Sequence, residues 1–303
     1  MRVFVTGASG HIGSLVVPEL LEAGHQVVGL ARSDRSAAAL AAAGAEVHRG
    51  TLDDLDSLRR GAKASDGVIH LAYVHDFSTI EDSEVIDLRA VETIVAVLEG
   101  TGKPFVGTSG TLILTPLLTA GRLGTEEDAA PAGLRRAASE NVAMAMAERG
   151  VRTSVVRLAP TVHGPADLHG FVPRLIGIAR EKGVSAYVGE GSNRWPAVHE
   201  LDAAHLFRLA LEAAPAGSRL HGVGDEGVPF RQIAEVIGRH LNVPALSISQ
   251  EEATAHFGWL SALVSLDNPT SSALTRELLG WRPAHPGLIA DLEEGRYFDS
   301  PVA

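Results

Sequence analysis

The chain has 303 residues, 45% hydrophobic and 21% charged, with 26 Lys and Arg against 37 Asp and Glu for a formal net charge of −11. So much apolar side chain with so few charges describes a folded protein with a sizeable core and excludes a disordered chain. The absence of Cys excludes disulfides, thiolate metal sites and thiol nucleophiles, and the acidic balance argues against a nucleic-acid partner.

Met1 to Ser14 shows no basic segment followed by a long apolar one, so no signal peptide is read there. The longest uncharged stretch, Pro104 to Gly121, is interrupted by Gly, Pro and Thr and does not fit a membrane helix. A cytoplasmic protein without a membrane partner is expected.

Short β-rich runs alternate with Ala/Leu segments of helical period through the first half. The runs are Val3 to Thr6, Gln26 to Ala31, Glu46 to Arg49, Gly67 to Ala72, Pro104 to Thr108 and Thr153 to Leu158. Helices are expected at Ile12 to Ala23, Arg35 to Ala43, Leu55 to Ala62, Asp82 to Glu99 and Ala137 to Arg149. That alternation predicts an α/β fold, a doubly wound parallel sheet with crossover helices. Beyond Thr161 the spacing becomes irregular. Asp202 reads as the N-cap of a helix over Ala203 to Ala213, and Pro229 to Leu241 and Ser271 to Leu279 read as further helices.

The strongest chemical signal is the run from Thr6 through Gly7, Ala8, Ser9, Gly10, His11 and Ile12 to Gly13, lying between the first strand and the first helix. Glycine at 7 permits a tight turn, at 10 lets a pyrophosphate approach the backbone, and at 13 lets the helix pack close to the sheet. The anion then meets free N–H groups at the positive end of the helix dipole.

This spacing resembles the short-chain dehydrogenase/reductase superfamily, in particular its extended, epimerase/dehydratase-like branch. Further likenesses run along most of the chain. Leu52 and Asp53 resemble the adenine-contacting pair, and His70, Leu71 and Ala72 end the fourth strand as in that branch. Ser109, in the run Thr108 to Thr111, stands where the catalytic Ser is found. Arg157 to Pro165 resembles an Arg-Pro…Tyr-Gly-Pro segment with His163 in the Tyr place. Val198 to Asp202 and Leu279 to Pro283 resemble the late Val-His-x-x-Asp and Leu-Gly-Trp-x-Pro elements. The resemblance implies a Rossmann-type domain over residues 1–165 plus about 196–222. A smaller α/β substrate lobe would take about 166–195 and 223–303. It implies a nicotinamide cofactor held by Gly7, Ser9, Gly10, His11, Ile12, Gly13, Leu52, Asp53, Leu71 and Ala72.

The end of the second strand bears on which dinucleotide binds. Ala31 stands where an acid would hold the adenine ribose, and Arg32 follows it with Arg35 nearby, so NADP(H) is favoured over NAD(H). The competing reading has Asp34 holding the ribose while Arg32 is merely solvated.

Reductases of the superfamily use a Tyr as general acid and a Lys four residues later. Four residues after Tyr73, Tyr187 and Tyr297 stand Phe77, Gly191 and Pro301, so the pair is absent from the chain. Aligned by Ser139 and Glu140, Ala132 takes the Tyr place and Arg136 the Lys place, where Arg136 would still hold a ribose hydroxyl. In this the chain resembles atypical members. Candidates to replace the Tyr are Ser109 with Thr111, the group Tyr73, His75 and Asp76, and His163. Imidazoles titrate near neutrality and suit a general acid.

The expected activity is an NAD(P)-dependent oxidation or reduction of a small polar carbonyl or alcohol, sugar-like in character. Ser109 with His75 or His163 would carry the catalytic chemistry. An epimerase or dehydratase that retains its cofactor, and a sensor that binds the cofactor without catalysis, are the alternatives. No metal site is read among the 13 His, since no ligand pair shares a helix face. Asn193, Arg194, Trp195 and Pro196 read either as pocket wall or as interlobe packing. By resemblance, the helices Asp82 to Glu99 and Ala137 to Arg149 would form the interface of a homodimer.

Overall fold

A computed structural model of the protein describes residues 1–74, 80–131 and 133–299. In chain order its first half contains β1 (Arg2–Thr6), α1 (Gly13–Glu22), β2 (Gln26–Ala31), α2 (Asp34–Ala42), β3 (Glu46–Arg49), α3 (Leu55–Lys63), β4 (Gly67–His70), α4 (Ile80–Leu98), β5 (Pro104–Gly110), α5 (Ala138–Ala145) and β6 (Arg152–Leu158). Then follow β7 (Thr161–His163), α6 (Phe171–Lys182), β8 (Ser185–Val188), β9 (Arg194–His199), α7 (Glu200–Ala213), β10 (Ser218–Gly222), β11 (Asp225–Pro229), α8 (Phe230–Leu241) and β12 (Ala245–Ile248). The chain ends through α9 (Gln250–Phe257), α10 (Ser261–Val264), α11 (Ala273–Leu279), α12 (Leu288–Glu293) and α13 (Arg296–Asp299).

The apolar runs of the first half are buried on both faces, and Val3, Phe4, Val5, Val68 and Ile69 have no exposed surface. Such strands need helices on either side. They form a seven-stranded sheet in the order β10-β6-β5-β4-β1-β2-β3, every pair parallel. One core layer lies under α1 and α7, with Val16, Leu20 and Phe207. The other lies under α3, α4 and α5, with Leu58, Ile94 and Ala143. The strand order reverses between β1 and β4, and ligands of open α/β sheets bind beyond the carboxyl ends of the strands at such a point.

A second core joins α6, α8, α9 and α12 around Trp195, Phe230 and Leu288. It packs on a three-stranded sheet, β11-β9-β7, beside the two-stranded β12-β8.

Three local expectations change. Asp202 is not the cap of α7. The helix begins at Glu200 because His199, in extended conformation, accepts the Leu201 N–H at Nδ1, and the Asp202 carboxylate accepts the Ala284 and His285 amides instead. The fourth run ends as a strand at His70, since the Leu71 and Ala72 amides turn to the Thr6 carbonyl and Oγ1. The helix expected over Ala137 to Arg149 is α5 followed by a 3-10 turn over Met146–Arg149. Among the described residues no helix is long and apolar enough to cross a membrane.

Candidate functional site: the glycine-rich turn and the buried relay behind it

The turn after β1 is fixed by glycines that have no room for a side chain. Gly7 sits at φ +68°, and a Cβ there would lie 2.6 Å from the Ala72 nitrogen. A Cβ on Gly13 would lie 2.1 Å from the Gly7 carbonyl oxygen, deep inside contact distance. A Cβ on Gly10 would meet only that same oxygen, at 3.2 Å, and would otherwise project into open space. The Gly10 amide closes the turn by donating to Gly7 O at 2.9 Å, whereas the amides of His11, Ile12 and Gly13 meet no acceptor among the described residues. Open space over Gly10 beside unpaired amides at the head of α1 is an arrangement that suits an anion. Ser9 and Gly10 are exposed at its mouth.

The His11 imidazole faces away from a simple solvent role. Its Nε2 lies 2.8 Å from the buried Glu200 carboxylate, whose other oxygen accepts the Ala166 N–H at 2.9 Å. Burial pushes the Glu200 carboxyl up, but the His11 hydrogen bond and the Ala166 amide outweigh it and hold the group below its ordinary range. The glycine-rich turn is thereby tied to the loop that enters α6.

Behind the turn runs a buried polar chain. Ala72 N–H donates to Thr6 Oγ1 at 3.3 Å, which lies 2.8 Å from His70 Nδ1, and His70 Nε2 lies 3.1 Å from Asp87 Oδ1. Asp87 Oδ2 accepts Ser139 O–H at 2.5 Å and stands 3.8 Å from the Arg136 guanidinium. Burial pushes Asp87 up, yet its bonds from His70 and Ser139 and the charge of Arg136 keep it below the usual carboxylate range. An ionised Asp87 requires the proton of His70 on Nε2. The Arg136 guanidinium also covers the Tyr73 ring, 4.1 Å from its centroid.

Helix α5 is locked from below. Arg157 and Glu140, both essentially unexposed, meet at 2.5 Å and 3.1 Å, and Arg157 also donates to Asp128 O and to His221 Nε2. His221 Nδ1 then donates to Ser271 O. Burial pushes the His221 imidazole below its ordinary pKa, which suits this neutral tautomer.

The remaining expected residues divide. Arg32, at the end of β2, is exposed and has no ion-pair partner among the described residues, while Asp34 pairs with Arg49 at 2.5 Å. Leu52 packs into the core layer under α3, Asp53 is exposed, and both follow β3. Leu71 packs against the opposite layer. Ser109 lies on β5 in register with Arg157, 5% exposed, and its Oγ has no hydrogen-bond partner among the described residues. Thr111 Oγ1 is committed to Asn268 at 2.8 Å. His75, Asp76 and Ala132 lie outside the described residues.

His163 sits outside the seven-stranded sheet with no exposed surface, its Nδ1 2.8 Å from Asp291 and its ring edge against His199. Its Nε2 has no hydrogen-bond partner among the described residues, and its strand β7 follows the carboxyl end of β6 after two residues. Trp195 resolves as packing, 1% exposed between Phe171 and Phe230, and Arg194 is held by Asp267. The sequence reading missed Asp87, Ser139 and Glu200 as site groups. Their partners lie 17, 52 and 189 residues away along the chain, so no local pattern marked them.

The profile of the NAD dependent epimerase/dehydratase family matches residues 3–221, which span the turn, the relay and strands β1 to β10. The chain belongs to this family. Among its relatives, an uncharacterized protein of Schizosaccharomyces pombe is 52% identical over 98% of this chain and 100% of its own. The UDP-glucose 4-epimerase of Streptomyces lividans is 26% identical over 95% and 93%. Among solved structures, the dTDP-glucose 4,6-dehydratase of Streptomyces venezuelae with NAD bound superposes with a TM-score of 0.77, at 20% identity and 98% coverage of both chains. That last likeness is one of fold. In this epimerase/dehydratase-family chain the turn after β1 carries Gly7, Gly10 and Gly13.

Proposed function

We propose that the protein is an NAD(P)-dependent oxidoreductase acting on a small polar carbonyl or alcohol, with NADP(H) favoured over NAD(H). The observation that carries this reading is the cradle formed by Gly7, Gly10 and Gly13 with the unpaired amides of His11, Ile12 and Gly13. A bound nicotinamide supplies or accepts the hydride. The chain's own residues orient it: the amides hold the diphosphate, Leu52 and Asp53 receive the adenine, and Arg136 receives the nicotinamide ribose. Ser109 is the proposed partner of the substrate oxygen. Its unpaired hydroxyl on β5 is the kind of buried donor that gains most from a ligand acceptor. One structural neighbour binds UDP-glucose with NAD and another is a dTDP-glucose 4,6-dehydratase, which supports a sugar-like substrate class.

The NADP preference rests on Arg32. An exposed guanidinium without an ion-pair partner, beside an Asp34 already paired with Arg49, suits an adenosine 2′-phosphate. Arg32→Ala is expected to weaken NADPH binding by about 10- to 150-fold, the worth of a charge-assisted bond of roughly 1.5–3 kcal/mol, with NADH affinity little changed. Fluorescence titration of both cofactors on both proteins checks it, and an unchanged NADPH/NADH ratio removes the preference. Absorbance of the reduced nicotinamide against a carbonyl and alcohol panel tests the activity. Tight cofactor binding with no turnover on any compound would instead favour a cofactor sensor.

A further inference from the structure

By the resemblance Ala132 falls in the Tyr place, so the proton would come from elsewhere, and the three tyrosines can be compared directly. Tyr187 is 8% exposed on β8, packed into the lobe core. Tyr297 accepts the Gly164 N–H and donates to Asp167, and burial pushes its phenol far above the ordinary range. Tyr73 alone stands at the carboxyl edge of the large sheet, three residues beyond β4 and next to Ala72, whose backbone abuts Gly7 in the phosphate cradle. It is half-buried, and Arg136, the residue in the Lys place, lies over its ring at 4.1 Å. Arg136 is in turn steered by Asp87, itself fixed by Ser139, His70 and Thr6. The cation of the usual pair is therefore present, and the phenol it accompanies comes from the β4–α4 connection.

We propose that Tyr73 is the proton-transferring residue of the site, with Arg136 as its cationic partner and Asp87 as the positioning residue that holds Arg136. The inference rests on the nicotinamide-dependent reading above. In the reducing direction the Tyr73 O–H bond breaks as an O–H bond forms on the substrate carbonyl oxygen, and the carbonyl carbon takes the hydride, so C=O becomes CH–OH. The phenolate that remains recovers its proton from water. Arg136 supplies positive charge beside that phenolate without donating a proton itself. Burial pushes the Tyr73 phenol above its ordinary range, Arg136 draws it down, and Glu84 and Asp87 push it up.

The test is a pH titration of tyrosinate absorbance, with Tyr73→Phe subtracted to isolate one phenol, run with and without saturating oxidised NADP or NAD, whichever binds. A nicotinamide cation beside Tyr73 lowers the midpoint of that phenol by about one to three pH units, and Arg136→Gln raises it in the free protein. Should Tyr73→Phe fold poorly, shown by a lost melting transition, the wild-type curve with and without cofactor carries the same comparison. Cofactor that binds without moving the midpoint overturns the assignment of Tyr73 alone. If neither cofactor binds, the nicotinamide reading is overturned and this inference with it. On any carbonyl turned over in the panel, Tyr73→Phe lowers kcat about 100-fold or more while cofactor affinity is kept, and unchanged kcat contradicts the proposal.

Discussion

Gly13→Ala is expected to abolish useful cofactor binding while leaving a folded protein. The added methyl would sit 2.1 Å from the Gly7 carbonyl oxygen and 2.7 Å from the Ala8 Cα, and both are backbone atoms that cannot swing aside. The head of α1 must move off the sheet, which parts the His11 and Ile12 amides from the open space over Gly10. Losing two charge-assisted hydrogen bonds of roughly 1.5–3 kcal/mol each is a loss of about 100-fold or more in affinity. The packing strain costs about 1–3 kcal/mol of stability. Titration of the variant with NADPH and a melting curve measure the two separately. An affinity within about threefold of wild type would show that the turn is not where the cofactor's diphosphate sits.

The second large effect is on stability. Glu140→Ala leaves the Arg157 guanidinium, with no exposed surface, facing a vacated partner. Breaking one half of a buried ion pair costs about 3–5 kcal/mol, on the order of 10 °C in Tm for a chain of this size. Arg219 also loses its 3.3 Å contact to Glu140, so β10 is loosened along with α5. Arg136 lies one turn before Glu140, and NADPH affinity is expected to fall as well. The change replaces a carboxylate held by two arginines, so a Tm shift smaller than about 2 °C, the size of a neutral surface change, would contradict this role.

The sheet was legible because its strands are continuous apolar runs, and Val3, Phe4 and Val5 can only be buried on both sides. The glycine-rich turn was legible because steric demands put glycine where a side chain finds no room. Glu140 was legible by resemblance, as the mark from which Arg136 was placed, although its partner Arg157 lies 17 residues away and emerged only with the fold. The relay was not. His70 and Thr6 are 64 residues apart, and Asp87 looks like any acid on an amphipathic helix until α4 packs it against β4. Asp202 misled because Asp is a common cap, whereas the cap is the neighbouring His199 and the Asp serves a contact 82 residues away. Chain-distant polar pairing leaves no periodic trace, so it stays hidden where hydrophobic period and glycine sterics do not.

We propose that the turn after β1 binds a nicotinamide dinucleotide. Titrating the protein with NADPH and NADH, followed by cofactor fluorescence and by calorimetry for stoichiometry, tests it most directly. One site per chain is expected, tighter for NADPH and lost in Gly13→Ala. Absence of saturable binding of either cofactor up to about 1 mM, an affinity of roughly −4 kcal/mol, would contradict it.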